Sequence, residues 1–198
     1  MTANPPRLSP PPPPGPRLWT REEYYRLAAL GFFDGQRVER IGGELVVMSP
    51  QDWLHTCSTD KAFDILRELF RPGYWVRCQF PMEFSLSSDP EPDVSVVPGA
   101  RDDYSAHPNT AVLIVEVSNT TLAFDRGRKA SLYASAGVPD YWVIDVNDRR
   151  LEVCRDPQPD AAEPFGWAYA SRTWLTATEP LTPLAAPAAR IPVVDLLP

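Results

Sequence analysis

The stretch from Ala111 to Asp145, AVLIVEVSNTTLAFDRGRKASLYASAGVPDYWVID, organises the expected fold. It begins with an aliphatic run, continues through a polar turn into a helix-like segment, and returns to an apolar strand at Tyr141. Glu116 interrupts the aliphatic run, and an ionised carboxylate in a buried strand costs several kcal/mol unless a partner or a metal ion receives it. The stretch therefore predicts a strand with a glutamate that needs a partner, a helix from about Asp125 to Ala136, and a second strand.

The chain has 198 residues, of which 43% are hydrophobic and 11% aromatic, and this composition is typical of one folded domain. Residues 1–17 are rich in proline and have little to bury, so we expect a disordered tail before a single domain at 18–198, with its core at about 37–155. No segment approaches the ~18 consecutive apolar residues of a membrane-spanning helix. The N-terminus also lacks the apolar region of a secretory signal.

Cysteine content and charge narrow the functional classes. Three widely spaced cysteines do not form a disulfide framework and fit a reducing cytoplasm. The net charge of -7 argues against a protein that coats nucleic acid nonspecifically, because neutralisation of phosphates drives such binding. The net charge does not exclude an enzyme that acts on nucleic acids, if its positive charge is local or comes from a bound metal ion.

Capping, turn and periodicity signals predict the other elements. Thr20 and Glu23 fit a capping box for a short helix that ends near Gly31. Gly42-Gly43 is the expected turn of a β-hairpin between strands at 37–41 and 44–48. A helix is predicted at 52–70, strands at 74–79, 82–86, 93–97 and 151–154, and weaker strands at 166–174 and 190–194.

Two carboxylates are expected to meet at one end of the sheet. Alternation along the first strand of the central stretch places Val112, Ile114, Glu116 and Ser118 on one face. Asp93 begins the preceding strand, so the two carboxylates converge if these strands pair. Two carboxylates with water are the ligands that Mg²⁺ takes, and such an ion polarises a scissile phosphate and activates a water. The alternative is a structural ion pair between Glu116 and an arginine.

Lys129 is the candidate cation of this site. Only two of the nineteen Lys and Arg residues are lysines, Lys61 and Lys129, so arginine is the usual surface cation of this chain. Asp125, Lys129 and Tyr133 follow one another at a spacing of four and share a helix face. An ammonium group there would stabilise transition-state charge or orient the attacking water. The alternative is an ordinary helix salt bridge between Asp125 and Lys129, worth ~0.3–0.5 kcal/mol.

Five runs of the sequence together match the pattern of a known family. They are IGGELVVMSP at 41–50 with His55 after it, EPDV at 91–94, VEVS at 115–118, DRGRKA at 125–130 with Tyr133, and AGVPDYWVID at 136–145. In these runs the sequence resembles the restriction endonuclease family of Uma-two type, a branch of the PD-(D/E)XK nuclease superfamily. The similarity covers about residues 18–155, and the last run is its most specific part.

The resemblance implies an α/β fold with a restriction-endonuclease-like core, in which helices flank a central mixed β-sheet and an N-terminal helix and β-hairpin come first. It implies metal-dependent hydrolysis of DNA, with Mg²⁺ or Mn²⁺, by a homodimer. Asp93 and Glu116 correspond to the metal ligands. The superfamily's lysine lies two residues after the second carboxylate, where this chain has Ser118, and Lys129 on the following helix is the expected substitute.

Five further residues are candidates for the site. The superfamily implies an additional acidic residue near the hairpin, where Glu44 matches best and Glu39 is the reserve, although both could be charged edge residues that block strand pairing. His55 could contact phosphate, act as a general acid or base, or make a plain polar contact. Arg126 and Arg128 form the best local basic patch for phosphates.

Three functions fit these observations. The first is a Mg²⁺-dependent DNA endonuclease that acts through Asp93, Glu116 and Lys129. The second is a catalytically inactive nuclease fold that serves as a binding or regulatory module, favoured by the acidic net charge and by Ser118 in place of the lysine. The third is hydrolysis of RNA or of a small phosphodiester at the same site.

Overall fold

The structure is a computed structural model that describes residues 15–198, in which helices pack on a central β-sheet. The helices are α1 (Arg21–Ala29), α2 (Trp53–Leu69), α3 (Leu122–Phe124) and α4 (Ala130–Ser135), with a π-helical turn at Asp125–Lys129. The strands are β1 (Arg37–Ile41), β2 (Glu44–Met48), β3 (Tyr74–Cys78), β4 (Val94–Pro98), β5 (Leu113–Ser118), β6 (Asp140–Asp145), β7 (Arg150–Pro159), β8 (Trp167–Thr176), β9 (Pro180–Leu181) and β10 (Ile191–Pro192). Most of the expected N-terminal tail, residues 1–14, lies outside the described residues.

Six strands form the central sheet in the order β3-β4-β5-β6-β7-β8. β5 and β6 are parallel, and the chain between them runs through α3, the π-helical turn and α4. The other neighbouring strands of this sheet are antiparallel. The predicted α/β architecture with a mixed central sheet is therefore confirmed. Within residues 15–198, no helix is long and apolar enough to cross a membrane.

Alternation along β5 divides the core into two layers. Val115 packs with Leu66 of α2 and with Trp142 on one side of the sheet. Ile114 packs with Tyr133 of α4 on the other side. Val112, which was expected on the face of Ile114, precedes β5 and packs with the layer of Val115 instead. Because side chains alternate along a strand, Glu116 projects to the same side as Ile114, toward α4.

The N-terminal helix and hairpin follow their turn signals closely. The side chains and backbones of Thr20 and Glu23 make the reciprocal bonds of a capping box. β1 and β2 pair around Gly42-Gly43, and Gly43 has a φ of 80°, a conformation that side chains other than glycine disfavour. The Tyr24 hydroxyl donates to the carbonyl of Val38 at 2.7 Å, so α1 packs on the hairpin.

Three segments differ from the sequence-based expectation. Residues 82–86 form a loop rather than a strand, because the amides of Met82 and Glu83 bond to the carbonyls of Pro90 and Pro108 instead of a strand ladder. Met82 and Phe84 of this loop pack against the core. Their alternation with polar residues resembles the pattern of a strand, which is why the sequence predicted one. The helix expected at 125–136 begins earlier, at Leu122, and contains the π-helical turn. β7 extends well beyond residue 154.

Candidate active site

Strand register brings Asp93 and Glu116 to the same end of the sheet. β4 and β5 are antiparallel with Val94 opposite Val115, so the residue before β4 lies beside the last part of β5. The Val117 amide donates to Asp93 Oδ2 at 2.8 Å, which fixes this carboxylate at the strand end. Both carboxylates line one cavity of about 300 Å³.

Asp93 is held by three donors. Besides the Val117 amide, His55 Nε2 lies 3.2 Å from Asp93 Oδ2, and Gln79 Nε2 donates to Oδ1 at 3.2 Å. Burial alone would raise the pKa of Asp93, but its contacts with His55 and the Val117 amide outweigh burial and place the pKa below its usual value. Asp93 is therefore an ionised carboxylate at neutral pH, as a cation ligand must be.

Glu116 binds the helix that follows it. Lys129 Nζ donates to Glu116 Oε1 at 3.0 Å, and the Tyr133 hydroxyl donates to the same oxygen at 2.5 Å. No hydrogen bond found within residues 15–198 reaches Glu116 Oε2. Burial, followed by the charges of neighbouring carboxylates such as Asp93, raises the pKa of Glu116 far above its usual value despite Lys129. A second cation at this cavity would lower that pKa.

The π-helical turn places Lys129 inside the site. The Ala130 amide bonds to the Asp125 carbonyl across this turn, and both Asp125 and Lys129 are buried. Lys129 Nζ also lies 3.4 Å from each carboxylate oxygen of Glu39. Burial would lower the pKa of Lys129, but the charges of Glu116 and Glu39 outweigh it and raise the pKa. Lys129 is thus the one ammonium group among several buried carboxylates.

Glu39, rather than Glu44, is the glutamate of the hairpin that lines the cavity. The family pattern had favoured Glu44 as the additional acidic residue. Glu39 is fully buried in β1, and its Oε2 atom has no well-aligned hydrogen-bond donor in the described part of the chain. The Glu44 side chain is 47% exposed, forms an ion pair with Arg128 at 2.5 Å and does not line the cavity. The sequence pattern favoured Glu44 and kept Glu39 as the reserve, because local sequence does not show which face of the hairpin packs on the sheet.

Asp125 also lines the cavity, and the Ser118 side chain holds it in place. Ser118 stands where the superfamily has its lysine, and its hydroxyl donates to Asp125 Oδ2 at 2.6 Å. The Thr121 hydroxyl donates to the same oxygen at 2.6 Å. Burial raises the pKa of Asp125, and Lys129 opposes this effect. Where the superfamily has its lysine, this chain therefore has a hydroxyl that binds an additional carboxylate.

The cavity is acidic as a whole, and its donors suit a hard cation. Two cations, Arg37 and Lys129, line it. The other charged side chains of its lining are six carboxylates: Glu39, Asp52, Glu91, Asp93, Glu116 and Asp125. Across residues 15–198, no group of three or more His, Cys, Asp or Glu residues is arranged to hold a metal ion. Mg²⁺ commonly takes only one or two carboxylates and keeps several waters, so Asp93 and Glu116 are a sufficient pair. The buried, poorly satisfied Glu39 Oε2 is a further sign of missing positive charge.

Sequence reasoning missed several of these residues. Arg37, Gln79 and Glu91 reach the site from loops and strand ends, and nothing in their local spacing marks them. Tyr133 and Asp125 were marked by their spacing with Lys129, and the structure brings all three to the site.

Arg126 and Arg128 already have partners within the fold. Arg126 makes two bonds to Glu152, at 2.8 and 3.1 Å, and stacks over Trp174. Arg128 pairs with Glu44 and donates to the Ile41 carbonyl at 2.9 Å. Guanidinium groups held in this way have fewer N–H donors left for phosphates.

Arg126→Ala is expected to lower stability rather than affinity for nucleic acid. Glu152 is buried and keeps Arg172 as a partner, while the lost bonds are partly exposed, so we expect a loss of about 1–2 kcal/mol. Urea unfolding and fluorescence anisotropy with labelled DNA measure the two effects. A loss of affinity of tenfold or more with unchanged stability would contradict this interpretation and assign Arg126 to the nucleic acid.

The fold and the arrangement at the ends of β4 and β5 define the class of protein, an α/β protein with a restriction-endonuclease-like core. A similar fold is found in the crystal structure of a protein from Anabaena variabilis ATCC 29413 that is described as a putative nuclease belonging to DUF820. The two share 16% sequence identity with a TM-score of 0.67, over 89% of this chain and 96% of that one. At this identity the likeness is evidence for the fold alone. Among curated proteins, none matches the chain.

The family model described as "Putative restriction endonuclease" (Uma2) matches residues 21–186. The chain belongs to this family, and the resemblance identified from the sequence is confirmed. Family membership supports a nuclease, a hydrolase that acts on nucleic acid.

Proposed function

We propose that this protein is a Mg²⁺- or Mn²⁺-dependent endonuclease that hydrolyses phosphodiester bonds in DNA, with Asp93 and Glu116 as the metal ligands. The observation that supports it most is the meeting of Asp93, Glu116 and Lys129 at one cavity, with Lys129 Nζ 3.0 Å from Glu116 Oε1. The family supports a nuclease, and the donor set at this cavity supports the metal.

Each residue has a separate role in this proposal. The Val117 amide, His55 and Gln79 keep Asp93 ionised and oriented. Lys129 and Tyr133 hold Glu116 by Oε1 and thereby leave Oε2 for a cation. A divalent ion bound there supplies Lewis-acid polarisation of the phosphate and lowers the pKa of an attacking water.

Lys129 contributes positive charge next to the reacting phosphate. In the superfamily pattern a lysine two residues after the second carboxylate has this place, and the helix position of Lys129 reaches the same strand end. Its ammonium group can stabilise charge that develops on phosphate oxygens, since it lies in a buried site where such interactions are strong. His55 acts on Asp93 as a positioning residue.

Metal titration of the purified protein tests the proposal. We expect supercoiled plasmid DNA to be cut in Mg²⁺ or Mn²⁺ and to remain intact in EDTA, and Asp93→Ala to leave it intact in all conditions. Intact DNA in every metal tested, with the protein folded, would overturn the assignment. Cleavage of RNA but not DNA would keep the site and change the substrate. Sedimentation of the active form tests whether the endonuclease is a homodimer, as the resemblance implies.

A second candidate is a catalytically inactive module of the same fold. The hydrogen bond from Ser118 to Asp125 favours it, because this chain has a serine bonded to a carboxylate where the superfamily has its lysine. This candidate predicts that the protein binds divalent metal or nucleic acid without turnover, and the titration above separates it from the endonuclease.

A further inference from the structure

A second cavity runs along the outer edge of the central sheet. It has a volume of about 1060 Å³, more than three times that of the candidate active site, and it follows β3 from Gly73 to Cys78. β3 is an edge strand, because β4 is its only partner among the described strands. Residues of α2, of the segments at 71–72 and 99–102, and the side chains of Phe80 and His107 form the remaining walls. We call this cavity the edge groove.

The edge groove is positively charged although the chain has a net charge of -7. Four arginines and a single carboxylate, Asp102, line it: Arg67, Arg71, Arg77 and Arg101. Asp102 is exposed and lies 3.4 Å from exposed Arg101, and ion pairs of this kind contribute little. The groove therefore concentrates positive charge on one face of an acidic protein, which favours an anionic ligand.

Arg77 is the most unusual of these arginines. It is only 2% exposed, yet its partners are the Met82 sulfur at 2.7 Å and the Pro81 carbonyl at 3.0 Å, and its Nε has no partner in the described residues. No ion pair joins it to a carboxylate anywhere in residues 15–198. Burial lowers the pKa of Arg77 to about 10. Burial of a charged guanidinium without an anionic partner costs free energy. An anionic ligand in the groove would supply the missing partner.

Aromatic rings accompany the arginines. The Arg77 guanidinium lies 4.7 Å from the ring centre of Trp75 and 5.8 Å from that of Phe80. Phe63 and Tyr74 also line the groove. Phe80 is 54% exposed, so one large ring is open to solvent where the groove ends. Basic side chains that alternate with aromatic rings are the usual means of binding unpaired bases and their phosphates.

We propose that the edge groove binds a single-stranded segment of nucleic acid, with phosphates on Arg71, Arg77 and Arg101 and with bases stacked on Phe80 and Trp75. A single strand fits better than a duplex, because stacking on protein rings requires bases that are not already stacked on their neighbours. This proposal rests on the proposed function, to which it adds the form in which the substrate is held.

One residue, Gln79, connects the edge groove with the candidate active site. Cys78 and Phe80 line the groove, and Gln79 between them donates to Asp93 Oδ1 at 3.2 Å. A strand that lies in the groove therefore passes one residue from a ligand of the proposed metal. The groove would hold the substrate by charge and stacking, while the acidic cavity receives only the phosphate to be cut.

Fluorescence anisotropy in EDTA tests the groove without any need for cleavage. We expect the intact chain to bind a labelled single-stranded oligodeoxynucleotide more tightly than a duplex of the same sequence. Phe80→Ala should weaken this binding by about fivefold or more, because it removes one stacking platform. The double variant Arg71→Gln/Arg101→Gln should bind with a weaker salt dependence. The slope of log K against log salt concentration should fall in magnitude by about 1.4, because two phosphate contacts are lost. Arg26→Gln, an exposed arginine of α1 outside the groove, is the matched control.

Each other outcome overturns the proposal. Equal affinity of the groove variants and of Arg26→Gln would show that the groove does not bind nucleic acid. Stronger binding of duplex than of single strand would remove the single-strand assignment. If the intact chain is a dimer and Phe80→Ala makes it a monomer without a loss of affinity, the groove is a contact between two copies. None of these results depends on cleavage, so a protein that binds in the groove but never cuts contradicts only the proposed function.

Arg77→Met separates ligand binding from a structural role. A methionine fills similar apolar space without a buried charge, so the variant should be as stable as the intact chain or more stable. Its affinity for single-stranded DNA should nevertheless fall by about tenfold, the loss of one buried phosphate contact. A folded Arg77→Met protein with full affinity would show that Arg77 does not contact the ligand.

Discussion

Asp93→Asn is expected to lower the rate of metal-dependent DNA cleavage by at least about 10²–10³-fold, with little change in the fold. Asparagine keeps an oxygen that accepts the Val117 amide, which donates to Asp93 Oδ2 at 2.8 Å. It removes the negative charge that the contacts with His55 and the Val117 amide maintain by placing the pKa of Asp93 below its usual value. The proposed metal site would then keep one carboxylate, Glu116. Initial rates of plasmid cleavage in Mg²⁺ measure the loss.

Asp195→Asn is the matched control for this change. Asp195 is exposed near the C-terminus and does not line the candidate active site, so the same substitution there should leave the cleavage rate within about twofold. Calorimetric titration with Mn²⁺ provides an independent readout, since Asp93→Asn should weaken metal binding whether or not the protein cleaves DNA. An Asp93→Asn protein that cuts at the normal rate would remove Asp93 from the proposed mechanism.

Local periodicity was enough to predict which side chains meet at the centre of the candidate active site. Alternation along the aliphatic run predicts that Glu116 shares a face with Ile114, and the structure places both on the side of α4. The four-residue spacing of Asp125, Lys129 and Tyr133 predicts a shared helix face, and the structure brings these side chains to the cavity or to Glu116. These placements depend on neighbours in sequence, which is why they could be predicted.

The surroundings of a side chain could not be predicted where they depend on the packing of elements that are distant in sequence. Glu39 and Glu44 lie on either side of one glycine turn, and only the docking of the hairpin makes the first buried and the second exposed. Arg126 and Arg128 look like a basic patch in sequence, but Glu152 comes from β7 and Glu44 from β2 to pair with them. Arg77 resembles any surface arginine until the loop at residues 80–82 covers it.

Lys129→Met is expected to reduce both stability and cleavage. The lysine is the ammonium partner of Glu116 and Glu39, at 3.0 and 3.4 Å, and all three side chains are buried. Removal of one partner from a buried ion pair leaves uncompensated charge and costs about 3–5 kcal/mol. Urea unfolding in EDTA measures the loss. Lys61→Met, at the chain's other lysine, is the control, because Lys61 is exposed and should cost less.

Two further measurements assign the loss to charge rather than to shape. Adding Glu39→Gln to Lys129→Met removes one of the stranded carboxylates, so the double variant should be more stable than Lys129→Met alone. Mg²⁺ should raise the stability of Lys129→Met more than that of the intact chain, because the ion replaces the missing positive charge beside Asp93 and Glu116. If Lys129→Met unfolds at the same urea concentration as the intact chain and cuts DNA equally fast, then Lys129 neither balances the buried carboxylates nor takes part in hydrolysis.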